Sequence, residues 1–199
     1  QDELVFDGAS FVLNADRSLA AQLPAWREAI VMTDWTRGGH GWHCAKSGIA
    51  VLPEGDTSAY HACVLGLRDY VHKNGFPGVV LGLSGGIDSA LVAAIAVDAL
   101  GPDKVHAIML PSKFTSDESL LDAAACAKAL GIRYDKISIE PAVAGLTWGL
   151  KDLFAGLNTD TTEENMQSRV RGTLLMANSN KFGSMLVTTG NKSEMSTGY

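Results

Sequence analysis

The run Ser84-Gly85-Gly86-Ile87-Asp88-Ser89 concentrates the residues of this chain that could do chemistry. Gly85 and Gly86 carry no Cβ, so an anion can come close to the main chain. Ser84 and Ser89 add hydroxyl donors. Asp88 is the odd member, because a carboxylate repels phosphate unless a cation lies between them. The combination predicts a polyphosphate cradled by backbone N–H groups, with Mg²⁺ as the intervening cation. Gly82 and Leu83 lead into the run and complete a loop over residues 82–89. It is not a Walker loop, which requires a lysine at its end. Nor does Gly82-x-x-Gly85-Gly86 have the spacing of a dinucleotide fingerprint.

Two later stretches add polar groups. Thr162 is positioned to cap a helix with acids in its first turn. Along that helix Met166, Val170, Leu174 and Ala177 share an apolar face, while Asn165, Arg169 and Gly172 share another. Taken alone, that second face is what any solvated helix presents. Thr188-Thr189-Gly190-Asn191-Lys192-Ser193-Glu194 forms a turn after a short strand beginning at Met185. Glu194 alone reads as an ordinary acid near a helix start; beside a triphosphate it could meet Mg²⁺.

The elements that must position these groups alternate. Val79-Val80-Leu81 has strand length and β-branched residues, and the Ala-rich segment from Ala90 to Val97 opens a helix stopped by Gly101 and Pro102. A strand over 105–110 follows. A polar connection with Ser112, Lys113 and Thr115 comes next, then a helix from Asp117 to Leu130 capped by Ser116 and stopped by Gly131. A strand over 133–139 and a helix over 141–153 continue the series. The alternation predicts an α/β fold with a doubly wound parallel sheet. In such a sheet ligands bind beyond the carboxyl ends of the strands, at a topological switch point, and both Ser84-Gly85-Gly86 and Thr188-Thr189-Gly190 lie at strand ends.

Upstream, residues 4–16 read as two strands around Gly8, with a third over 28–33. Residues 36–57, rich in Gly and carrying Pro53, read as a linker. His40, His43 and Cys44 lie too close together for a metal site, with no fourth ligand evident. A helix over 58–74, capped by Ser58, delivers the chain to the first strand.

At 199 residues the chain has room for one full domain plus extra segments. A net charge of −6 argues against a general nucleic-acid or membrane-surface binder. Cys44, Cys63 and Cys126 form no CxxC spacing or disulfide framework, and no apolar run reaches transmembrane length. A reducing, cytoplasmic compartment is expected. Gln1 in place of Met suggests part of something longer, or a processed chain.

The loop run resembles the pyrophosphate loop of the ATP pyrophosphatase superfamily, whose members cleave ATP between the α- and β-phosphates. Leu83 to Ser89, Glu164-Asn165-Met166-Gln167-x-Arg169-x-Arg171-Gly172 and Thr188 to Glu194, in this order, together resemble the glutamine-dependent NAD⁺ synthetases. The resemblance implies an adenine nucleotide alpha hydrolase-like, Rossmann-like domain over 58–199, incomplete at its end. It also implies a remnant of a nitrilase-like glutaminase domain over 1–35, with 36–57 between them. It implies adenylation of deamido-NAD by MgATP, followed by attack of ammonia supplied by a glutaminase domain.

Carried over, Gly82, Leu83, Ser84, Gly85, Gly86, Ile87, Asp88, Ser89 and Thr189 would bind ATP. Asn165, Arg169 and Glu194 would bind deamido-NAD, and Asp88 and Glu194 would hold Mg²⁺. Lys113, with Ser112 and Thr115, would be a further phosphate contact. No covalent protein nucleophile is implied. The glutaminase's Cys, Glu and Lys would lie before Gln1, so this stretch is not expected to hydrolyse glutamine. Homo-oligomers are usual in the family. The competing readings are another amidotransferase of the superfamily, such as a GMP synthetase, and a nucleotide-binding module without catalysis.

Overall fold

The computed structural model describes residues 4–39 and 41–197, the last of these by its backbone. The chain divides into two compact units, Gln1–Leu67 and Arg68–Tyr199. Helix α1 (Gly55–Lys73) runs across the division.

In the first unit, β1 (Phe11–Leu13) pairs antiparallel with β2 (Leu19–Gln22). Asp16 turns the chain between them by accepting both the N–H and the hydroxyl of Ser18, at 2.9 and 2.6 Å. The region expected to be a linker contains a second hairpin, β3 (Trp35–Gly38) with β4 (Gly41–Cys44). Alternating Trp35, Thr36, Trp42 and His43 around a glycine-rich turn is a hairpin pattern, and local glycine content hid it. Asn14 holds the two hairpins together. Its Oδ1 accepts the N–H of Cys44 at 2.8 Å and its Nδ2 donates to the Cys44 carbonyl at 3.2 Å. Backbone bonds between Gln22 and both Gly48 and Ala50 extend that attachment. The strand expected over 28–33 does not form. Ile30 and Met32 are 98% and 90% exposed, because β-branched residues make no strand without a partner edge. Of the strands expected over 4–16, only β1 forms, with an isolated bridge at Gly8.

Helix α1 starts at Gly55, three residues before the expected cap at Ser58, whose N–H instead bonds to the Glu54 carbonyl. The second unit then alternates strands and helices, with two helices, α4 and α5, between its last two strands. Its elements are β5 (Val79–Gly82), α2 (Ile87–Leu100), a 3₁₀ turn (Pro102–Lys104), β6 (Val105–Met109), α3 (Asp117–Leu130), β7 (Arg133–Lys136), α4 (Glu140–Leu150), α5 (Thr161–Phe182), β8 (Met185–Val187) and α6 (Lys192–Thr197). The four strands are all parallel, in the order β7-β6-β5-β8. Helices α2 and α3 pack together, as do α4 and α5, which gives the doubly wound arrangement. Val80, Ile108, Leu110, Ile139 and Val170 form a buried core, with Val143, Leu174, Leu175 and Leu186 packed against it. Small residues close the other layer: Ala93 and Ala96 of α2, Ala107 of β6, and Ala123 and Ala127 of α3 are all buried.

Several boundaries move by a few residues. Helix α2 begins at Ile87 rather than Ala90, which puts Asp88 and Ser89 in its first turn. Asp160, not Thr162, caps α5, through a capping box in which Asp160 Oδ1 accepts the Thr162 N–H at 2.7 Å and Glu163 accepts the Asp160 N–H at 2.9 Å. On α5, Val170 and Leu174 face the core as expected, whereas Ala177 is exposed. No helix among the described residues is long and apolar enough to cross a membrane.

Candidate functional site

Chain direction creates the site. From β5 the chain steps to β6 and β7 on one side, and then returns to place β8 on the other side of β5. The carboxyl ends of β5 and β8 therefore flank a switch point, where the connections leaving the two strands diverge and open a crevice. Residues 82–89 leave one of those ends and Thr188–Glu194 the other.

A cavity of about 210 Å³ opens there. Gly82, Leu83, Ser84, Ser89, Thr115, Arg171 and Thr189 line it, over a floor of Ile108, Met109, Leu110 and Leu175. The loop beside it is fixed by its own hydroxyls. Ser89 is 4% exposed, and its Oγ accepts the Ser84 N–H at 3.1 Å and donates to the Gly86 carbonyl at 3.0 Å. That donation uses the one Ser89 proton. Ser84 Oγ must therefore donate to Ser89 Oγ across 3.1 Å, while it accepts the Gly86 N–H at 3.2 Å. Gly85 has a φ of +85°, and a Cβ there would lie 2.4 Å from the carbonyl oxygen of Ser119. Its glycine is thus required both by backbone conformation and by close packing on the first turn of α3.

The start of α2 differs from those of α3 and α5. Ser116 caps α3 and Asp160 caps α5 with side-chain oxygens, whereas Gly86 occupies the cap position of α2 with no side chain to accept a first-turn N–H. The leading N–H groups of α2 have no cap side chain at Gly86, and the positive end of the helix dipole lies where the loop from β5 enters the helix. This is an anion-binding geometry.

The connection after β6 is clamped. Glu140 Oε1 accepts the Lys113 N–H at 2.7 Å, the Ile139 N–H bonds to the Pro111 carbonyl at 3.1 Å, and Thr115 Oγ1 accepts the Ser112 N–H at 3.0 Å. Thr115 reaches the cavity. Lys113 is exposed, with its Nζ 4.9 Å from the ring centre of Phe114.

Not every expected residue lines this cavity. Gly82, Leu83, Ser84, Ser89 and Thr189 do, while Ile87 and Asp88 are exposed on the first turn of α2. Arg169 lines a separate open groove along α5 with Ser168, Gly172, Thr173, Met176, Ala177 and Asn180, and Asn165 is exposed on the same helix. Glu194 folds back on its own turn: its Oε2 accepts the Asn191 N–H at 2.8 Å, and its N–H donates to Asn191 Oδ1 at 3.0 Å. Among the described residues no group of three or more His, Cys, Asp or Glu could by itself hold a metal ion.

Arg171 was not among the expected site residues. Its Nε donates to the Leu110 carbonyl at 3.1 Å, and its guanidinium lines the cavity. Two residues along a helix turn about 200°, so Arg171 points away from Arg169 and toward the strand ends. Its spacing of three and four from Leu174 and Leu175 is the signal that would have placed it on the inward face.

The NAD synthase family model matches residues 59–199. The chain belongs to that family. A glutamine-dependent NAD(+) synthetase of Rhodobacter capsulatus is 58% identical over the whole chain, which spans 36% of that relative. The structure of the glutamine-dependent NAD+ synthetase from Acinetobacter baumannii, in complex with adenosine diphosphate, is 45% identical. It superposes over 100% of this chain and 38% of its own with a TM-score of 0.94. An NMN synthetase from Francisella tularensis is also similar, at 28% identity and a TM-score of 0.67, over 74% of this chain and 59% of its own. The family's Rossmann-like fold is the one described above. The crevice at the β5–β8 switch point is the place in it where the strand ends are open.

Proposed function

We propose that the intact protein carrying this sequence converts deamido-NAD to NAD with ATP and ammonia, and that residues 82–89 and Thr189 hold the ATP. The observation that carries the reading is the uncapped start of α2 at the β5–β8 switch point, beside a glycine loop held open by Ser84 and Ser89. The adenosine diphosphate bound to the A. baumannii relative supports a nucleotide in this domain.

The chemistry has two steps. A carboxylate oxygen of the nicotinate attacks the α-phosphorus of ATP, the bond to the bridging oxygen breaks, and pyrophosphate leaves with that electron pair. Ammonia then attacks the carbonyl carbon of the acyl-adenylate, AMP departs, and nitrogen loses a proton to give the amide. The first step brings two anions together, so the protein's task is neutralisation and alignment. The leading N–H groups of α2 and the loop backbone hold the phosphates. Asn165 and Arg169 hold deamido-NAD from α5, with Glu194 contributing from the β8 turn.

Mg²⁺ fits this donor set as an ion shared with the nucleotide. The described residues offer isolated carboxylates rather than a closed cage, and Mg²⁺ binds through one or two carboxylates plus substrate phosphates. Asp88, with Glu194, would hold it, and it would supply charge neutralisation at the polyphosphate. Residues 1–35 would close a nitrilase-like glutaminase domain that supplies ammonia, and the intact protein would be a homo-oligomer. Three free cysteines support a reducing, cytoplasmic setting.

The test is acid-substrate choice by the intact protein. With ATP, Mg²⁺ and ammonia, deamido-NAD should yield equal amounts of NAD, AMP and pyrophosphate. Turnover of xanthylate or nicotinate mononucleotide with none of deamido-NAD would overturn the reading.

A further inference from the structure

Arg171 is the cation nearest the core of the site, and the proposed function gives it no task. It is half-buried on α5 and lines the switch-point cavity together with Ser84, Ser89, Thr115 and Thr189. A guanidinium stays charged at any accessible pH and carries five N–H donors in a fixed fork. One of these, Nε–H, bonds to the neutral Leu110 carbonyl at 3.1 Å. No ion pair between Arg171 and a carboxylate is found among the described residues; the ion pairs there join His106 and Arg133 to Asp135. A partly desolvated cation without a counter-charge is costly, and it is most economically neutralised by an anion in the cavity it faces.

The anchor matters as much as the charge. The Nε bond fixes the plane of the guanidinium against the end of β6, so the side chain is oriented before any ligand arrives. Across the same cavity stand the Ser84 hydroxyl and the Thr189 turn. The apolar floor of Ile108, Met109, Leu110 and Leu175 suits a flat base better than a charged group. A nucleotide with its base on that floor and its polyphosphate at the start of α2 would set its first phosphate between the two, on the Arg171 side.

We infer that Arg171 is a substrate-contacting residue that binds the α-phosphate of the nucleotide, the phosphate that carries the adenylate. The inference rests on the nucleotide reading above and extends it to a residue outside the phosphate loop. Arg171 then does two things: it neutralises charge on the phosphorus under attack, and it ties α5, which bears Asn165 and Arg169, to the end of β6.

Adenosine and AMP, which differ by this one phosphate, test it in the intact protein by titration calorimetry. In wild type AMP should bind more tightly than adenosine. R171Q keeps a hydrogen-bond donor but not the charge. It should lose roughly ten- to a hundredfold in AMP affinity, the size of one charge-assisted contact, with adenosine affinity unchanged. R171K, which restores a cation without the fork, should fall between the two. Equal loss for adenosine and AMP would make Arg171 a wall of the cavity only. Unchanged affinity for both would also overturn the assignment, while leaving the nucleotide reading in place. A wild-type protein that binds neither ligand would remove that reading and the Arg171 assignment with it.

Discussion

A methyl group added to Gly85 would lie 2.4 Å from the carbonyl oxygen of Ser119. The loop after β5 and the first turn of α3 are therefore in backbone contact, with no room for a side chain between them. Gly85→Ala has to move one of these segments, and it also places alanine at a φ of +85°. A destabilisation of about 1–3 kcal/mol is expected, with loss of ATP-induced thermal stabilisation. Gly86→Ala is the control. Its φ is −85°, and the new Cβ would meet only Ser84 Oγ at 3.4 Å, so stability should change little. Thermal unfolding of both variants with and without ATP checks the contrast.

The loop's internal hydrogen bonds make a second prediction. The Ser89 hydroxyl serves the Ser84 N–H, the Ser84 hydroxyl and the Gly86 carbonyl from a buried position. Ser89→Ala leaves these groups without that partner. Stability should fall by about 1–3 kcal/mol, and the KM for ATP should rise more than that for deamido-NAD. Equal changes in both KM values would show that Ser89 has no particular part in binding ATP.

The residues of this loop also show how much of the candidate site could be read in advance. Gly85, Ser84 and Ser89 stood out because their types are chemically specific and their strand-turn-helix setting was correct. What was missed depends on contacts between distant segments. Arg171 is two positions from Arg169 but on the opposite side of α5, and its anchor, Leu110, is 61 residues away. The cap of α5 lies at Asp160 because its carboxylate and that of Glu163 satisfy each other's N–H groups, so Thr162 falls at the second helical position. In the first unit, residues 28–33 carry a strand-like composition but find no edge, whereas the glycine-rich 35–44 segment pairs with itself. Local composition cannot settle either case, since strand formation is decided by the partner.

His106 gives the chain a pH-dependent stability. Its Nε2 lies 2.8 Å from Asp135 Oδ2, which Arg133 also contacts at 2.8 Å. Burial lowers the His106 pKa below its usual 6.5, and outweighs the opposite pull of Asp135; Arg133 adds to the lowering. The folded state thus holds the imidazole neutral, while the unfolded chain takes up a proton as pH falls through 6.5. Stability should rise with pH through this range and fall below it. The Asp135 pKa is lowered, chiefly by its hydrogen bond from His106, so its contribution is present above 3.8 and lost as pH falls further. His106→Asn should flatten the upper part of the profile in denaturant unfolding at a series of pH values.

Asp88 separates two roles of a carboxylate at a helix start. Favourable interaction with the helix dipole alone is worth about 0.3–1 kcal/mol of stability. If Asp88 also holds Mg²⁺ beside the polyphosphate, Asp88→Asn should raise the Mg²⁺ concentration needed for half-maximal turnover by roughly tenfold or more. A stability loss with unchanged Mg²⁺ dependence would leave only the helix role.

The proposed reaction passes through an acyl-adenylate. Deamido-NAD labelled with ¹⁸O in its nicotinate carboxylate tests it most directly, because the attacking oxygen stays on phosphorus when ammonia displaces AMP. Mass spectrometry of the products of the intact protein should find one ¹⁸O in the phosphate of AMP and none in pyrophosphate. Label in inorganic phosphate, or formation of NAD with unlabelled AMP, would contradict the account.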